Sequence, residues 1–221
     1  LPGSYEELPP NLIDEAKRDR RWCQGNLINS RFTTMRGLHA AHRVVFVTGV
    51  MAYVSAPLWF ALLVLSTALL AANVLGEAQY FVQPYQLFPL WPEWRPERAI
   101  ALLSTTAVLL FMPKILAVLI AIKRGPRHYG GVFRLGASAI GEILVSMSLA
   151  PIRMLFHTQF VVMTLLGRRL HWHSPSREDA LTSWADAWQR HRWQMLLGVV
   201  WAYGVFRLEP SYLWWLLPVV G

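Results

Sequence analysis

The chain has 221 residues, of which 54% are hydrophobic and only 15% are charged, and its formal net charge is +8. Soluble domains carry about 25% charged residues, so this composition argues against an ordinary soluble domain. The single cysteine excludes an internal disulfide. Several apolar stretches, such as residues 56–76, are long enough to cross a hydrocarbon core, which takes roughly 20 helical residues. The sequence therefore predicts an all-α, multi-pass membrane protein.

The first predicted helix follows a proline-containing, extended start. Asn11 supplies an N-cap, and Asp14 lies in the first helical turn, where an acidic side chain is favourable. From Leu12 the helix is predicted to run to about Arg36, because Gly37 offers a stop. Its polar and basic character indicates that it lies at the membrane surface as an amphipathic interface helix and does not span.

Apolar segments further along the chain predict about four transmembrane helices. They cover residues 55–74, 99–122, 193–208 and a last one from about 211 that the end of the chain cuts short. Pro57 is expected to kink or restart the helix that leads into the first span. Pro113 interrupts the second span, and we expect Lys114 beside it to reach the interface by snorkelling.

The distribution of Lys and Arg predicts the orientation of these spans. Basic residues precede the first span and follow the second, so both flanks are predicted to be cytoplasmic and residues 75–98 to be outside. Residues 135–167 break this alternation, because both of their flanks are basic. Five polar residues there fall within about 60° on a helical wheel: Glu142, Ser146, Arg153, His157 and Thr164. This stripe predicts a helix in the cytoplasmic interface, bent at Pro151, and a true span with the stripe facing a cavity is the alternative.

One stretch of the first helix, KRDRRWCQGNL at residues 17–27, carries a candidate binding site. Arg18, Arg21, Trp22 and Gly25 stand at i, i+3, i+4 and i+7 and share one helical face. Two guanidiniums suit phosphate oxygens, and an indole stacks on a ring, so this face suits a ligand that has both. The alternative is a basic helix that contacts anionic headgroups, with Trp22 as a membrane anchor. Nucleic-acid binding is disfavoured because the basic residues border membrane spans.

The pattern R-x-x-R-W-x-x-G followed by spans resembles the Q-x-x-R-W signature of processive family-2 membrane glycosyltransferases, the cellulose- and hyaluronan-synthase type. Arg18 stands where that family usually has Gln. The wider text, with YEELPPNLIDEAKRDRRWCQGNL, SAPLWF, QLFPLWPEWRPERAIAL, APIRMLFHTQFV and TSWADAW, resembles members that make the backbone of osmoregulated periplasmic glucans. This resemblance covers essentially the whole chain. It implies a hexosyltransferase of the bacterial inner membrane that polymerises glucose from UDP-glucose and passes the glucan across.

The same resemblance implies roles for individual residues. Arg18, Arg21 and Trp22 would border the acceptor and the donor nucleotide. Residues 172–177, WHSPSR, would correspond to a gating loop with the family pattern F-x-V-T-x-K, with Trp172 and Arg177 at its ends. Ser and Pro replace the central Val and Thr, so a plain connector is the alternative. The implied partners are UDP-glucose, the growing glucan, the lipid bilayer and an acyl carrier protein.

The chemistry of sugar transfer needs groups that this sequence does not supply. A nucleotide-diphosphate donor calls for an aspartate pair that holds Mg²⁺ and for a carboxylate base. The aspartates present form no D-x-D pair: Asp14, Asp19, Asp179 and Asp186. By the resemblance, the catalytic residues and the Mg²⁺ ligands would lie upstream, in an α/β glycosyltransferase domain that this chain lacks. We therefore assign no catalytic residue and no metal ligand here, and expect this chain alone to be inactive.

The resulting division of the chain has four predicted parts. They are residues 1–43 as the end of the glycosyltransferase domain with its interface helix, 44–122 with the first two spans, 123–192 with the interfacial helix and gating loop, and 193–221 with the last spans. The competing function is a transporter or scaffold without enzyme activity, with Glu142, Arg153 and His157 as a polar path through the membrane. That hypothesis leaves the R-x-x-R-W face unexplained.

Overall fold

The computed structural model describes residue 9 and residues 11–76, 87–88, 96–168 and 183–214, and every regular element in them is helical. The α-helices are α1 (Leu12–Asn29), α2 (Ala40–Leu75), α3 (Pro96–Arg124), α4 (Val132–Leu165) and α5 (Trp184–Leu208). Short 3₁₀ helices lie at Ser30–Thr34, Pro126–Tyr129 and Pro210–Tyr212. The predicted all-α class is confirmed.

The chain divides into two compact units, and the boundary lies within α4. The first unit comprises Leu1–Leu75 and Leu149–Gly221, and the second comprises Gly76–Ser148. Helices α1, α2 and α5 and the second part of α4 therefore belong to the first unit. Helix α3 and the first part of α4 belong to the second.

Among the described residues, α2, α3 and α4 are the helices long and apolar enough to cross a membrane. Their large apolar side chains are mostly exposed, for example Leu65, Leu109 and Val145, as lipid-facing side chains would be. The predicted multi-pass membrane class is thus confirmed. Helix α5 contains the predicted span 193–208 but is not among these three, so that span stays a prediction. The interfacial position of α4 also stays a prediction, since its length and composition fit a span as well.

The helices pass through their prolines without interruption. Helix α2 continues for 36 residues across Pro57, and α3 and α4 continue across Pro113 and Pro151. The expectation that Pro57 restarts the helix is therefore wrong. In an apolar surrounding a broken helix exposes more unpaired backbone groups than the one that proline removes, so continuation is favoured. At about 1.5 Å per residue α2 is about 54 Å long, so part of it lies outside a 30 Å hydrocarbon core.

Helix α1 begins where the sequence predicts and ends earlier. The side-chain oxygen of Asn11 accepts a hydrogen bond from the backbone N–H of Asp14 at 2.8 Å, which confirms the N-cap. The α-helix ends at Asn29 and does not reach Arg36. The next turn is 3₁₀, and the hydroxyl of Ser30 donates to a backbone carbonyl at 2.7 Å, a local bond that competes with a regular helix.

Arg43, near the start of α2, holds the connection between α1 and α2. Its guanidinium donates to the backbone carbonyls of Thr33 at 2.5 Å, Met35 at 2.7 Å and Leu38 at 3.3 Å. These carbonyls belong to the short 3₁₀ helix and to the turn that follows it. One charged side chain therefore satisfies three acceptors and ties the turn to the first membrane helix.

Helices α1, α2 and the second part of α4 share one small core in the first unit. Cys23 of α1 is fully buried there against Tyr53 of α2 and Phe160 and Val161 of α4. The side chain of Asn26 on α1 packs directly against Gly49 of α2, where an added Cβ would collide with the Asn26 Oδ1 atom. The core thus forms where the predicted surface helix packs onto the membrane helices.

Helix α5 joins the same unit through a polar contact in an apolar setting. The indole N–H of Trp201 donates to the hydroxyl of Thr67 on α2 at 3.0 Å, and the Trp201 ring packs edge-on against Phe60. Val205, one turn further along α5, is fully buried. The bond satisfies the one donor of the indole where water is scarce.

The second unit contains an ion pair between two membrane helices. Lys114 Nζ of α3 lies 2.9 Å from Glu142 Oε1 of α4. The expectation that Lys114 snorkels to the interface stays a prediction, and Glu142 is the partner of its ammonium group. Ionisable groups in membrane helices pair with one another, because each alone costs free energy in hydrocarbon.

Candidate functional site

The predicted binding face forms on α1 as its helical spacing requires. Trp22 is 54% exposed, and the Arg18 guanidinium carbon lies 5.5 Å from the centre of its ring. This distance is that of a cation–π contact. Arg21 is half-buried beside them. A Cβ at Gly25 would meet no atom within 4 Å, so the space above this residue is open. The face therefore presents an accessible aromatic surface next to positive charge.

Arg18 is held in place by its neighbour Asp19. Its Nη2 and Nε atoms lie 3.0 and 3.2 Å from Asp19 Oδ1. The other carboxylate oxygen, Oδ2, lies 3.2 Å from His157 Nε2 on α4. Burial alone would raise the pKa of Asp19, but the hydrogen bonds from His157 and Arg18 outweigh it and hold the pKa below its ordinary value. Asp19 therefore links the binding face to a second helix in its charged form.

An ion pair joins the same two helices one turn earlier on α1. Arg153 Nη2 of α4 lies 2.8 Å from Glu15 Oε1 of α1. Glu15 and Asp19 are four residues apart, as are Arg153 and His157, so the two pairs form a ladder between the helices. In the described part of the chain the Nε atom of Arg153 is buried without a hydrogen-bond partner.

The ladder changes the interpretation of the polar stripe on α4. Arg153 and His157 contact the acidic side of α1, and Glu142 pairs with Lys114 in the other unit. These three residues were the proposed polar path of a transporter, and each has a separate structural partner. The ladder was not predicted from the sequence. Its signal was the matching spacing of Glu15 with Asp19 and of Arg153 with His157.

Cys23 lies one turn beyond Asp19 and closes the underside of the face. Its side chain is 0% exposed. Burial, and then the charge of Asp19, raise the pKa of the Cys23 thiol to about 11. Tyr53 packs edge-on against His157 at 5.2 Å between ring centres, next to the same core. The thiol is therefore part of the apolar core, and this core supports the helix that carries the binding face.

The described aspartates serve helix capping and pairing and offer no Mg²⁺ site. The Asp14 carboxylate accepts a hydrogen bond from Asn11 and pairs with Lys17. Asp19 belongs to the ladder. Asp186 exchanges hydrogen bonds with Ser183 at the start of α5. In residues 11–76, 96–168 and 183–214 no three potential ligands come together to hold a metal ion. Asp179 and the predicted gating residues Trp172 and Arg177 lie outside the described residues, so the gating loop stays a prediction.

Curated proteins that match this chain do so over its whole length. The glucans biosynthesis glucosyltransferase H of Pseudomonas putida strain F1 is 60% identical over 221 residues, and those of Pectobacterium atrosepticum and Klebsiella pneumoniae are each 59% identical over 220 residues. The chain is a relative of these glucosyltransferases H. Each match includes 100% of this chain, but the chain spans only 26% of the length of each relative.

The sequence similarity to glucosyltransferase H confirms the predicted resemblance to enzymes of glucan biosynthesis. No family model matches the chain, and no solved structure matches it. Membership of glycosyltransferase family 2 therefore stays a prediction that rests on the R-x-x-R-W pattern.

Proposed function

We propose that the intact protein is a processive inner-membrane glucosyltransferase that builds the backbone of osmoregulated periplasmic glucans from UDP-glucose, and that this chain is its membrane-embedded part. The observation that carries the proposal is the 60% identity to glucosyltransferase H along all 221 residues. The apolar helices α2, α3 and α4 support a place in a lipid bilayer. The growing glucan would leave the active site directly into the membrane part.

Within this proposal the α1 face binds the donor nucleotide and the end of the glucan. Arg18 and Arg21 bind phosphate oxygens, and Trp22 stacks on a sugar or a base. The contact between Arg18 and Trp22 at 5.5 Å supports this role, because it holds a guanidinium over a ring that is still 54% exposed. The bonds from Asp19 orient Arg18 before a ligand arrives, which lowers the entropic cost of binding.

The groups that cleave the donor bond would come from elsewhere in the intact protein. Mg²⁺ would neutralise the diphosphate leaving group, and a carboxylate base would take the acceptor proton. The aspartates described here do not fit a Mg²⁺ site, since they cap helices or form ion pairs. Residues Trp172 and Arg177 would close over the donor, and an acyl carrier protein would be a further partner by the same resemblance.

The proposal is tested by Arg21→Ala and Trp22→Ala in the intact protein. Loss of a charge-assisted hydrogen bond to a buried phosphate costs about 1.5–3 kcal/mol, which corresponds to roughly a ten- to hundredfold loss in kcat/KM. Glucan synthesis from UDP-glucose should fall by this factor in Arg21→Ala. Trp22→Ala should lose about 1–3 kcal/mol of stacking, which is a similar loss, and membrane protein levels should be unchanged in both. The matched control is Arg36→Ala, because Arg36 is exposed in the turn after α1. Equal losses in all three variants would mean that the arginines only attract the membrane surface, and the proposal would fail.

A further inference from the structure

The first unit contains a cavity of about 300 Å³ that lies between α1, the end of α4 and α5. Four cationic side chains from these elements line it: Lys17, Arg20, Arg168 and Arg190. No acidic side chain is among the described residues that line the cavity. Cations from segments far apart in sequence therefore converge on one space.

The positive charge of this cavity is only partly neutralised. Lys17 Nζ pairs with Asp14 Oδ1 at 2.7 Å, and this bond is the main cause of the lowered pKa of Asp14. Within the described ranges no carboxylate lies at ion-pair distance from Arg20, Arg168 or Arg190. Three guanidiniums around one cavity repel one another, and an anion between them removes that cost.

The other wall of the cavity is apolar. Phe156 and Phe160 of α4 stack with ring centres 6.0 Å apart, and Met163 continues this surface one turn further. A soluble anion would leave this wall in water. A ligand with an anionic head and an apolar tail would cover both parts of the cavity.

Exposed tryptophans on α5 favour a place for this cavity at the level of lipid headgroups. Trp184, Trp188 and Trp193 of α5 are 92%, 60% and 68% exposed, and Arg190 lies between the last two in sequence. Tryptophan is enriched at membrane–water interfaces, where its ring is apolar and its N–H is polar. Basic pockets between helices at this level suit anionic lipid headgroups.

We infer that this cavity binds an anionic phospholipid, with its phosphate between Arg20, Arg168 and Arg190 and part of an acyl chain along Phe156 and Phe160. The site is separate from the α1 face around Trp22. At 100° per residue, the side of α1 that carries Lys17 and Arg20 is about 120° away from the centre of the face formed by Arg18, Arg21, Trp22 and Gly25. The lipid would hold α1 and α5 together against the membrane independently of sugar transfer.

The test measures lipid selectivity of the intact protein in phosphatidylcholine nanodiscs. Spin-labelled phosphatidylglycerol or spin-labelled phosphatidylcholine is added in trace amounts, and electron paramagnetic resonance gives the immobilised fraction of each. Wild-type protein should immobilise phosphatidylglycerol in preference. The triple variant Arg20→Gln/Arg168→Gln/Arg190→Gln should lose this preference by about fivefold for each charge that contacts the headgroup. Its thermal unfolding midpoint is measured alongside, so that lost selectivity is interpreted only in folded protein.

The matched control removes the same charge elsewhere. Arg31→Gln/Arg36→Gln/Arg192→Gln replaces three exposed arginines that do not line the cavity, and it should keep the preference. Equal loss in both triple variants would reduce the effect to net charge and overturn the inference.

A further arm adds inorganic phosphate at matched ionic strength. Release of the immobilised phosphatidylglycerol by phosphate, but not by chloride, would identify a soluble phosphate as the ligand and also overturn it. If the triple variant is unfolded, Arg190→Gln alone is compared with Arg192→Gln on the same helix, and equal selectivity of these two would overturn it as well.

Discussion

His157 Nε2 on α4 lies 3.2 Å from Asp19 Oδ2 on α1, a contact between residues 138 positions apart. The other oxygen of the same carboxylate accepts hydrogen bonds from Arg18. One carboxylate therefore connects the candidate ligand face to the second part of α4. The direction of the Arg18 guanidinium, and with it the contact to Trp22, depends on a helix that the sequence places far away.

Asp19→Asn should weaken this connection and lower the stability of the protein. The amide keeps the shape but loses the charge, and the free energy of unfolding should fall by about 1–3 kcal/mol. The pKa of Asp19 is lowered in the folded protein, so its stabilisation is present above the ordinary value of 3.8 and is lost as the pH falls through the lower folded value. Thermal unfolding of Asp19→Asn between neutral and strongly acidic pH should therefore show a flatter acid dependence than wild type.

The control for Asp19→Asn is Lys17→Ala, which breaks an exposed ion pair with Asp14 on the same helix. Exposed pairs contribute at most about 1 kcal/mol, so its effect should be smaller. Equal unfolding midpoints for wild type and Asp19→Asn at neutral pH would contradict the role assigned to the carboxylate.

Gly25→Ala should separate ligand binding from folding. The added Cβ meets no atom within 4 Å, and alanine favours a helix over glycine by about 1 kcal/mol, so stability should stay equal or rise. If a sugar nucleotide approaches this face, the methyl group should raise the KM for UDP-glucose, and Gly25→Leu should raise it further. Gly198→Ala on α5 is the matched control, because its Cβ also meets open space. An unchanged KM in Gly25→Leu would remove Gly25 from the binding face.

The pair between Lys114 and Glu142 should be revealed by charge exchange. Lys114→Met leaves Glu142 without its partner, and Glu142→Ala leaves Lys114 alone in the apolar helix α3, where a lone charge at the centre of a span costs about 2.5–3.5 kcal/mol on insertion scales. Each single substitution should therefore reduce the amount of correctly inserted protein. The exchanged variant Lys114→Glu/Glu142→Lys should recover most of it, because the 2.9 Å pair is restored with opposite polarity. Additive losses in the exchanged variant would show that the two side chains do not interact in the membrane.

Cysteine accessibility should decide whether α4 spans or lies in the interface. Single cysteines at Arg127 and Arg177 should both resist a membrane-impermeant thiol reagent in intact cells, because basic residues flank α4 on both sides. A cysteine at Gln86, in the segment predicted to be outside, is the positive control. Labelling of exactly one of the first two positions would show that α4 crosses the membrane. Native Cys23 should remain silent, since its thiol is fully buried and its pKa is raised to about 11.

Local signals in the sequence predicted those parts of the fold that depend on neighbouring residues. The start of α1 follows from the cap at Asn11, and the common face of Arg18 and Trp22 follows from helical spacing. The early end of α1 at Asn29 was missed, because it depends on how Arg43 of the next helix binds the carbonyls of the turn. That contact joins residues on either side of the turn, which residue preferences do not encode.

Long-range pairing explains the other differences. Lys114 and Glu142 belong to different predicted segments, and so do Asp19 and His157, and composition alone does not say which charges meet. The stripe on α4 was visible as a polar face, but its partner was not. The proposal of a processive transferase rests on resemblance to known proteins, because the α1 face by itself equally suits a lipid surface.

The guanidinium of Arg43 restrains the connection between α1 and α2. Three backbone carbonyls in the connection accept hydrogen bonds from this one side chain of α2. The angle between α1 and α2 therefore cannot change much without breaking these three bonds. A tilt or rotation of α2 in the bilayer should therefore move α1 as well. We therefore expect the position of Trp22 relative to the membrane surface to follow the tilt of α2, and a change in bilayer thickness to alter the candidate site.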